Sequence, residues 1–356
     1  MPSLKSDYPR YLAAKRSVDD RAINERVLRR LASELRERSR DRDRSRLHVL
    51  NLGAGIGGAA ARLIERDVFP AGVGVTCTLV DVREANAAAA RERLPEWARA
   101  AGYDVTDLAD GSGGSAGDPG DPEFRVEAES RTIDVEVRVA DAFQVVEEGE
   151  WDLLVGQAFL DLFDLDEALP DLLSALEPGG LCYFPITFDG GTVFEPATDV
   201  LAPADLERAF HDHIDRSGGD SRAGRHLLTG LSREDASVLA AGSSDWVVHA
   251  HGEHEAEGSG NDGDARDIDG ADDGGTADGT DASDGGYPAD EELFLRFIVD
   301  TVADALADDA ESELTTKTLA EWRERRHEQL DIGELVYIAH QLDVLGCVGE
   351  TSPELD

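Results

Sequence analysis

The sequence predicts an α/β fold: a mostly parallel sheet with helices packed on both faces and helical additions before and after it. Three observations carry this. Apolar runs alternate with helix-like runs from residue 46 onward. The second of them, "GVTCTLVDV", lacks the in–out alternation of a half-exposed strand, as expected of a strand covered on both faces. The first of them, "RLHVLNLGAGIGG", leads through glycines straight into a helix, the strand–turn–helix arrangement of a nucleotide-binding unit.

The elements follow in order. Residues 8 to 40 read as helix, with Leu12, Val27, Leu28, Leu31 and Leu35 at three-and-four spacing. The first strand ends at Gly53, and "GGAAARLIERDVF" begins a helix whose small residues allow close packing on a sheet. "GVTCTLVDV" is the second strand, "REANAAAARERLPEWARAAG" a helix, "TIDVEVRVADAF" the third strand and "WDLLVGQAF" the fourth. "LDEALPDLLSALEPGG" reads as a helix stopped by Pro-Gly-Gly, and "LCYFPITF" as the fifth strand. Helices follow at "PADLERAFHDHID" and around "GRHLLTGLSRED", and "ASVLAAGSSDWVVHA" reads as a hairpin that closes the sheet antiparallel. Residues 288 to 345 read as helical, with Leu293, Phe294, Phe297, Ile298 and Val302 on one stripe and Leu335, Ile338, Ala339 and Leu342 on another. The chain thus divides into a helical segment at 1–45, a core at 46–251, an acidic insert at 252–287 and a helical segment at 288–356. Residues 109–122 and 252–287 are Asp-, Gly- and Ser-rich and nearly devoid of apolar residues, so they are expected to be disordered.

The 356 residues carry 76 acidic and 34 basic side chains, a formal net charge of −42, and lysine occurs only at Lys5, Lys15 and Lys317. Such a charge loosens a compact state through self-repulsion, and at about 1 M salt, where the Debye length falls to roughly 3 Å, the penalty largely vanishes. The composition resembles that of a cytoplasmic protein from an extreme halophile, in which acidity says little about the partner. Cys77, Cys182 and Cys347 are few, scattered and set among apolar residues, which points to reduced thiols. The N-terminal "MPSLKSDYPRYLAAKR" has no apolar stretch, and no run reaches the length of a membrane span. A soluble cytoplasmic protein with no membrane partner is expected.

"NLGAGIGG" satisfies two patterns: G-x-G-x-x-G through Gly53, Gly55 and Gly58, the dinucleotide fingerprint, and G-x-G-x-G through Gly53, Gly55 and Gly57, common where S-adenosylmethionine binds. Asp81 ends the second strand, where a carboxylate accepts from ribose hydroxyls of either cofactor. Asp141 ends the third, placed for an adenine amino group, with Ala142 or Phe143 beside the ring.

Taken in order, "HVLNLGAGIGG", "LVDV", "VADAF", "WDLLVGQAFLDLFDL" and "LEPGGLCYF" resemble the successive motifs of class I S-adenosylmethionine-dependent methyltransferases over residues 46 to 250. "YLAAKRSVDDRAIN" and "GELVYIAHQLDVLG" further resemble an uncharacterised group of such proteins in haloarchaea and actinobacteria. The resemblance implies a Rossmann-like, seven-stranded, mostly parallel sheet and S-adenosyl-L-methionine as cofactor. It places Asn51, Gly53, Ala54, Gly55, Gly57, Asp81, Val82, Asp141, Ala142, Phe143 and Gln157 around that cofactor. Separately, Arg16 of the first helix is a candidate for its carboxylate, with Tyr11 covering the site; the alternative is a solvated helix face. Asn51 departs from the family, which usually has Asp or Glu two residues before the first glycine. Its amide oxygen still accepts a hydrogen bond but brings no charge to an ammonium group.

Methyl transfer needs near-attack alignment more than a nucleophilic side chain, and a base only where the acceptor must lose a proton. Candidates beyond the carboxyl ends of the fourth and fifth strands are Gln157, Phe159, Asp161 and Asp164, then Thr187, Phe188 and Asp189, with Asp161 the foremost as an acceptor-positioning or basic carboxylate. Glu334, Tyr337 and Gln341, with His340 beside them, are candidates for a lid or acceptor wall. No Asp/Asn-Pro-Pro-Tyr/Phe follows the fourth strand and no Pro-Cys occurs, which argues against nucleic-acid base methylation. His249, His251 and His254, and His211 and His213 around Asp212, lack a complete ligand set, so no metal is expected. The acceptor is expected to be a small molecule, and the helical ends offer a surface for self-association. Two rival readings remain: an NAD-dependent oxidoreductase on the same loop, and a nucleoside-binding or interaction module without turnover.

Overall fold

The computed structural model describes residues 8–41, 45–108, 121–251 and 286–349. The inserts expected to be disordered at 109–122 and 252–287 lie outside the described residues except at 121–122 and 286–287, and His254 lies outside them too.

Two helices, α1 (Tyr8–Ala22) and α2 (Glu25–Asp41), precede the sheet. A single helix is expected there, but Asn24 interrupts it: its side-chain oxygen accepts from the amides of Arg26 at 3.2 Å and Val27 at 3.3 Å. An asparagine offers the backbone this alternative to helical pairing. Then come β1 (Arg46–Leu52), α3 (Gly58–Glu65), β2 (Gly74–Asp81), α4 (Glu84–Ala100), β3 (Asp104–Asp107), β4 (Phe124–Ala128), β5 (Arg131–Val139), α5 (Ala142–Val146), β6 (Trp151–Val155), α6 (Leu165–Ser174) and β7 (Leu176–Glu195). The remainder is α7 (Pro203–Arg216), α8 (Ala223–Arg233), β8 (Ala236–Ser243), β9 (Trp246–Val248), α9 (Glu291–Asp308), α10 (Thr316–Asp331) and β10 (Val336–Val348).

The ten strands form one sheet in the order β3-β4-β5-β2-β1-β6-β7-β10-β8, with β9 also on β10. From β5 to β7 every pair is parallel, so five strands bring their carboxyl ends to one edge. The expected seven-stranded count is exceeded for two reasons. An antiparallel pair, β3 and β4, extends the β5 edge. The last strand is broken: β8 pairs with residues 342–348 of β10 and β9 with residues 337–339.

Two expectations are corrected here. "ASVLAAGSSDWVVHA" is not a hairpin, since β8 and β9 do not pair with each other but lie in succession along β10. Residues 336–348, expected to be helical, form β10, antiparallel to β7 on one side and to β8 and β9 on the other. Its residues alternate in burial from Val336 to Leu342, and the spacing of Leu335, Ile338, Ala339 and Leu342 fits a helix only if that two-residue period is overlooked. Asp343 seals the position. Fully buried, it accepts from the amides of Asn24 at 2.8 Å and Ile186 at 2.9 Å and from the Tyr183 hydroxyl at 3.3 Å. One side chain thus joins the α1–α2 turn, β7 and β10.

The apolar core lies on both sheet faces: α1, α3, α4 and α9 contribute to one cluster, and α5, α6 and α8 to the other. No helix among the described residues is long and apolar enough to cross a membrane.

Candidate functional site

At the carboxyl edge, the loop after β1 is shaped by three left-handed glycines: Gly53 at φ +55°, Gly55 at +57° and Gly57 at +85°. Gly58 is not among them, is already helical, and has open space where a Cβ would stand. The backbone therefore spells the tighter G-x-G-x-G. Gly57 is the residue before α3, and its conformation lets the chain turn from strand to helix without strain.

Asp81, at the end of β2, organises this loop. Its Oδ2 accepts from the Gly55 amide at 2.9 Å, and its Oδ1 from the Arg83 amide at 2.8 Å and the Asn86 side chain at 3.1 Å. A carboxylate has about four acceptor sites, so capacity for one further donor remains. Asp141 caps α5 by accepting from the Phe143 amide at 2.9 Å.

These groups line a cavity of about 680 Å³. Arg16, Asn51, Gly53, Ala54, Gly55, Asp81, Val82, Asp141, Ala142, Phe143, Gln157 and Asp161 all border it; Gly57 does not, but sits behind the loop against Leu79 and Ala90. Asn51 is buried, and neither its amide nitrogen nor its oxygen has a hydrogen-bond partner. A buried amide left unpaired on both sides costs free energy, and here it borders a cavity that could supply the partner.

Helix α1 roofs the cavity with Tyr8, Tyr11, Leu12, Lys15, Arg16 and Asp19, a face of three-and-four spacing. Leu12 presses on the glycine loop, 3.0 Å from where a Cβ of Gly55 would stand. Arg16 pairs with Glu65 and stacks 4.0 Å over the Trp97 ring. Lys15 is buried with Asp19 at 2.6 Å and lies 5.0 Å from the Trp246 ring centre. Gln157 is clamped, donating to Asp19 at 2.7 Å and accepting from Arg62 at 2.6 Å. The helix is held down from outside by α9: Tyr11 stacks on Phe297 at 3.9 Å, and Arg21 pairs with the fully buried Glu291. Tyr8, Lys15, Asp19, Arg62, Arg83, Trp246 and Thr301 also line the cavity and were missed in the sequence. The available signal was the mixture of rings and charges on one face of α1.

Asp161 lies in a single 3-10 turn (Leu160–Leu162) after β6, between Phe159 and Phe163. The rings of Phe143, Phe159 and Phe163, which line the same cavity, pack on one another, Phe159 and Phe163 at 5.0 Å and Phe143 and Phe163 at 5.1 Å. Its Oδ1 is buried without a hydrogen-bond partner. Burial pushes its carboxyl up to about 6; Lys15 opposes the shift and Asp220 adds to it. Across the cavity, burial raises Tyr8 and Tyr11, and the charge of Asp161 adds to both shifts.

Other candidates lie elsewhere. Thr187, Phe188 and Asp189 do not follow the fifth strand but belong to it, because β7 continues to Glu195; Thr187 and Phe188 pair with β10, and Asp189 lies at a register shift of that pairing. Thr187 is buried, Phe188 packs on His211, and Asp189 is locked to Arg225 at 2.8 Å. Asp164 caps α6 through the Asp166 amide at 3.0 Å. Tyr337 and Gln341 face inward from β10, and Tyr337 packs 4.9 Å from Phe194. His340 points the other way and meets Asp245 at 2.7 Å. With Glu334, none of these borders the cavity, so the expected C-terminal lid is instead a central strand. His249 and His251 lie 5.4 Å apart ring to ring, and no group of three metal-ligating side chains occurs among the described residues.

No protein-family model and no curated protein matches the sequence. Solved structures align with it over most of its length. A candidate methyltransferase from Bacillus halodurans has a TM-score of 0.41 at 10% identity, covering 86% of this chain and 94% of its own. A SAM-dependent methyltransferase from Geobacter sulfurreducens, solved in complex with S-adenosyl-L-homocysteine, has a TM-score of 0.39 at 14% identity, covering 90% of this chain and 91% of its own. Geranyl diphosphate C-methyltransferase from Streptomyces coelicolor has a TM-score of 0.33 at 10% identity, covering 85% and 73%.

Proposed function

We propose that the protein is an S-adenosylmethionine-dependent methyltransferase acting on a small molecule, within the haloarchaeal and actinobacterial group that its terminal segments resemble. One observation carries the reading: the left-handed residues of the loop are Gly53, Gly55 and Gly57, tied by Gly55 to the Asp81 carboxylate, beside a cavity bordered by the unpartnered amide of Asn51. In this reading the glycine loop and Asn51 take the amino-acid end of the cofactor, Asp81 a ribose hydroxyl, and Asp141, Ala142 and Phe143 the adenine. Bound there, the cofactor supplies an activated methyl group and a neutral thioether leaving group. The chain's own residues hold the acceptor in line and shield it beneath α1, and Asp161 faces the acceptor as positioning group or base.

Arg16 is spoken for by Glu65, Asp20 and the Trp97 face. Its part is therefore to pin α1 over the cavity, and direct pairing with the cofactor's carboxylate would require it to exchange partners. Calorimetry of the full chain in molar KCl tests the reading. Saturable heats with S-adenosylmethionine and S-adenosylhomocysteine, and none with NADH, are expected; binding of NADH without binding of S-adenosylhomocysteine would establish the oxidoreductase instead.

A further inference from the structure

The geometry points to a small organic amine, taken up as its ammonium ion, as the ligand of the cavity's Asp161 end; this rests on the methyltransferase reading and names its acceptor class. The argument starts from charge. The basic side chains bordering the cavity are Lys15, Arg16, Arg62 and Arg83. Lys15 is paired with Asp19, Arg16 with Glu65, and Arg62 with Asp20, while Arg83 lies 4.3 Å over the Tyr8 ring. The buried and half-buried basic groups are thus answered by carboxylates, and Arg83, without one among the described residues, is exposed.

The acidic side differs. Asp19 has Lys15, Asp81 accepts from three donors of its own neighbourhood and keeps one site for the ribose, and Asp141 caps a helix. Asp161 has no ion pair within 4 Å among the described residues, and its Oδ1 has no hydrogen-bond partner. The unanswered charge at this end is negative.

The second observation is the wall around that charge. Asp161 shares the cavity lining with Phe143, Phe159 and Phe163, whose rings pack on one another, and with Tyr8 and Tyr11 of α1. Aromatic faces attract cations, most strongly where water is excluded. Carboxylate and rings together match an ammonium group: hydrogen bonds to the carboxylate, and alkyl or cationic contact with the faces. The protein already houses one ammonium this way, for Lys15 rests against a carboxylate at 2.6 Å and an indole at 5.0 Å. A neutral alcohol satisfies the rings but leaves the charge unanswered, and an acid is repelled. The carboxylate is also where the ammonium's proton goes when the nitrogen lone pair must be freed.

The test is binding, not turnover. Full-length protein in molar KCl near pH 8, saturated with S-adenosylhomocysteine, is titrated with 2-phenylethylamine, 2-phenylethanol and 3-phenylpropanoate. The amine is expected to bind at least about tenfold more tightly than the alcohol, with no binding of the acid. Asp161→Asn is expected to abolish that preference while S-adenosylhomocysteine binds as before. Equal binding of amine and alcohol by the wild-type chain, or an amine preference that survives Asp161→Asn, overturns the inference and leaves the methyltransferase reading standing. Failure of S-adenosylhomocysteine to bind overturns both.

Discussion

A Cβ built on Gly53 would lie 2.7 Å from Cδ2 of Phe159. The loop after β1 and the turn after β6 are therefore in direct contact, and the glycine is required by space as well as by its φ of +55°. Gly53→Ala should cost about 1–3 kcal/mol through strain and clash and lower affinity for S-adenosylhomocysteine at least tenfold. Gly58→Ala, at an unstrained helical position with open space, should be neutral or stabilising by up to about 1 kcal/mol. Paired thermal melts and calorimetry separate the two; equal effects would remove the distinction between the glycine patterns.

Asp161 sets the sign of a pH dependence. Its carboxyl is raised from 3.8 to about 6, chiefly by burial, with Lys15 opposing and Asp220 adding. The folded protein holds this proton more tightly than the unfolded chain does. The stabilisation is complete below the unfolded value and is lost as pH rises through about 6. Asp161→Asn should therefore raise the melting midpoint at pH 7 while changing it little at pH 3.5. Parallel profiles for variant and wild type would show that the carboxyl is not perturbed.

Asp343 answers three donors from three parts of the chain. Asp343→Ala would leave the buried amide of Ile186 and the half-buried amide of Asn24 unpaired, at a cost of about 3 kcal/mol. Urea denaturation in high salt measures this, and a loss under about 1 kcal/mol would mean that the α1–α2 turn is anchored by other contacts.

A net charge of −42 on 356 residues predicts a stability that depends on salt. Raising KCl from about 0.1 M to about 2 M should lift the melting midpoint by several degrees as repulsion is screened. An unchanged midpoint would mean that the acidity is not an adaptation to salt.

The parallel half of the sheet was legible because its signals are local. β1, β2, β6 and the first part of β7 are apolar runs and β5 an alternating one, each beside a helix of different period, and Asp81 and Asp141 sit where such strands end. The antiparallel half was not. β10 has His340, Gln341 and Asp343 in its middle, which break up its apolar run. What makes it a strand is the pairing with β7 and β8, which lie far away in sequence. Within the site, the glycine loop could be read, but the roof could not. Nothing local distinguishes Lys15 and Asp19 as a buried pair from the exposed i, i+4 pair that their spacing equally describes.

The place of β10 has a consequence for how the polypeptide is made. β7 is twenty residues long, largely buried, and presents one whole edge to β10. During translation that edge stays uncovered until residues beyond 335 leave the ribosome, and an unpaired apolar edge invites pairing with other chains. Ribosome-stalled chains ending before β10 should bind chaperones, and release of the chain with β10 should end that exposure.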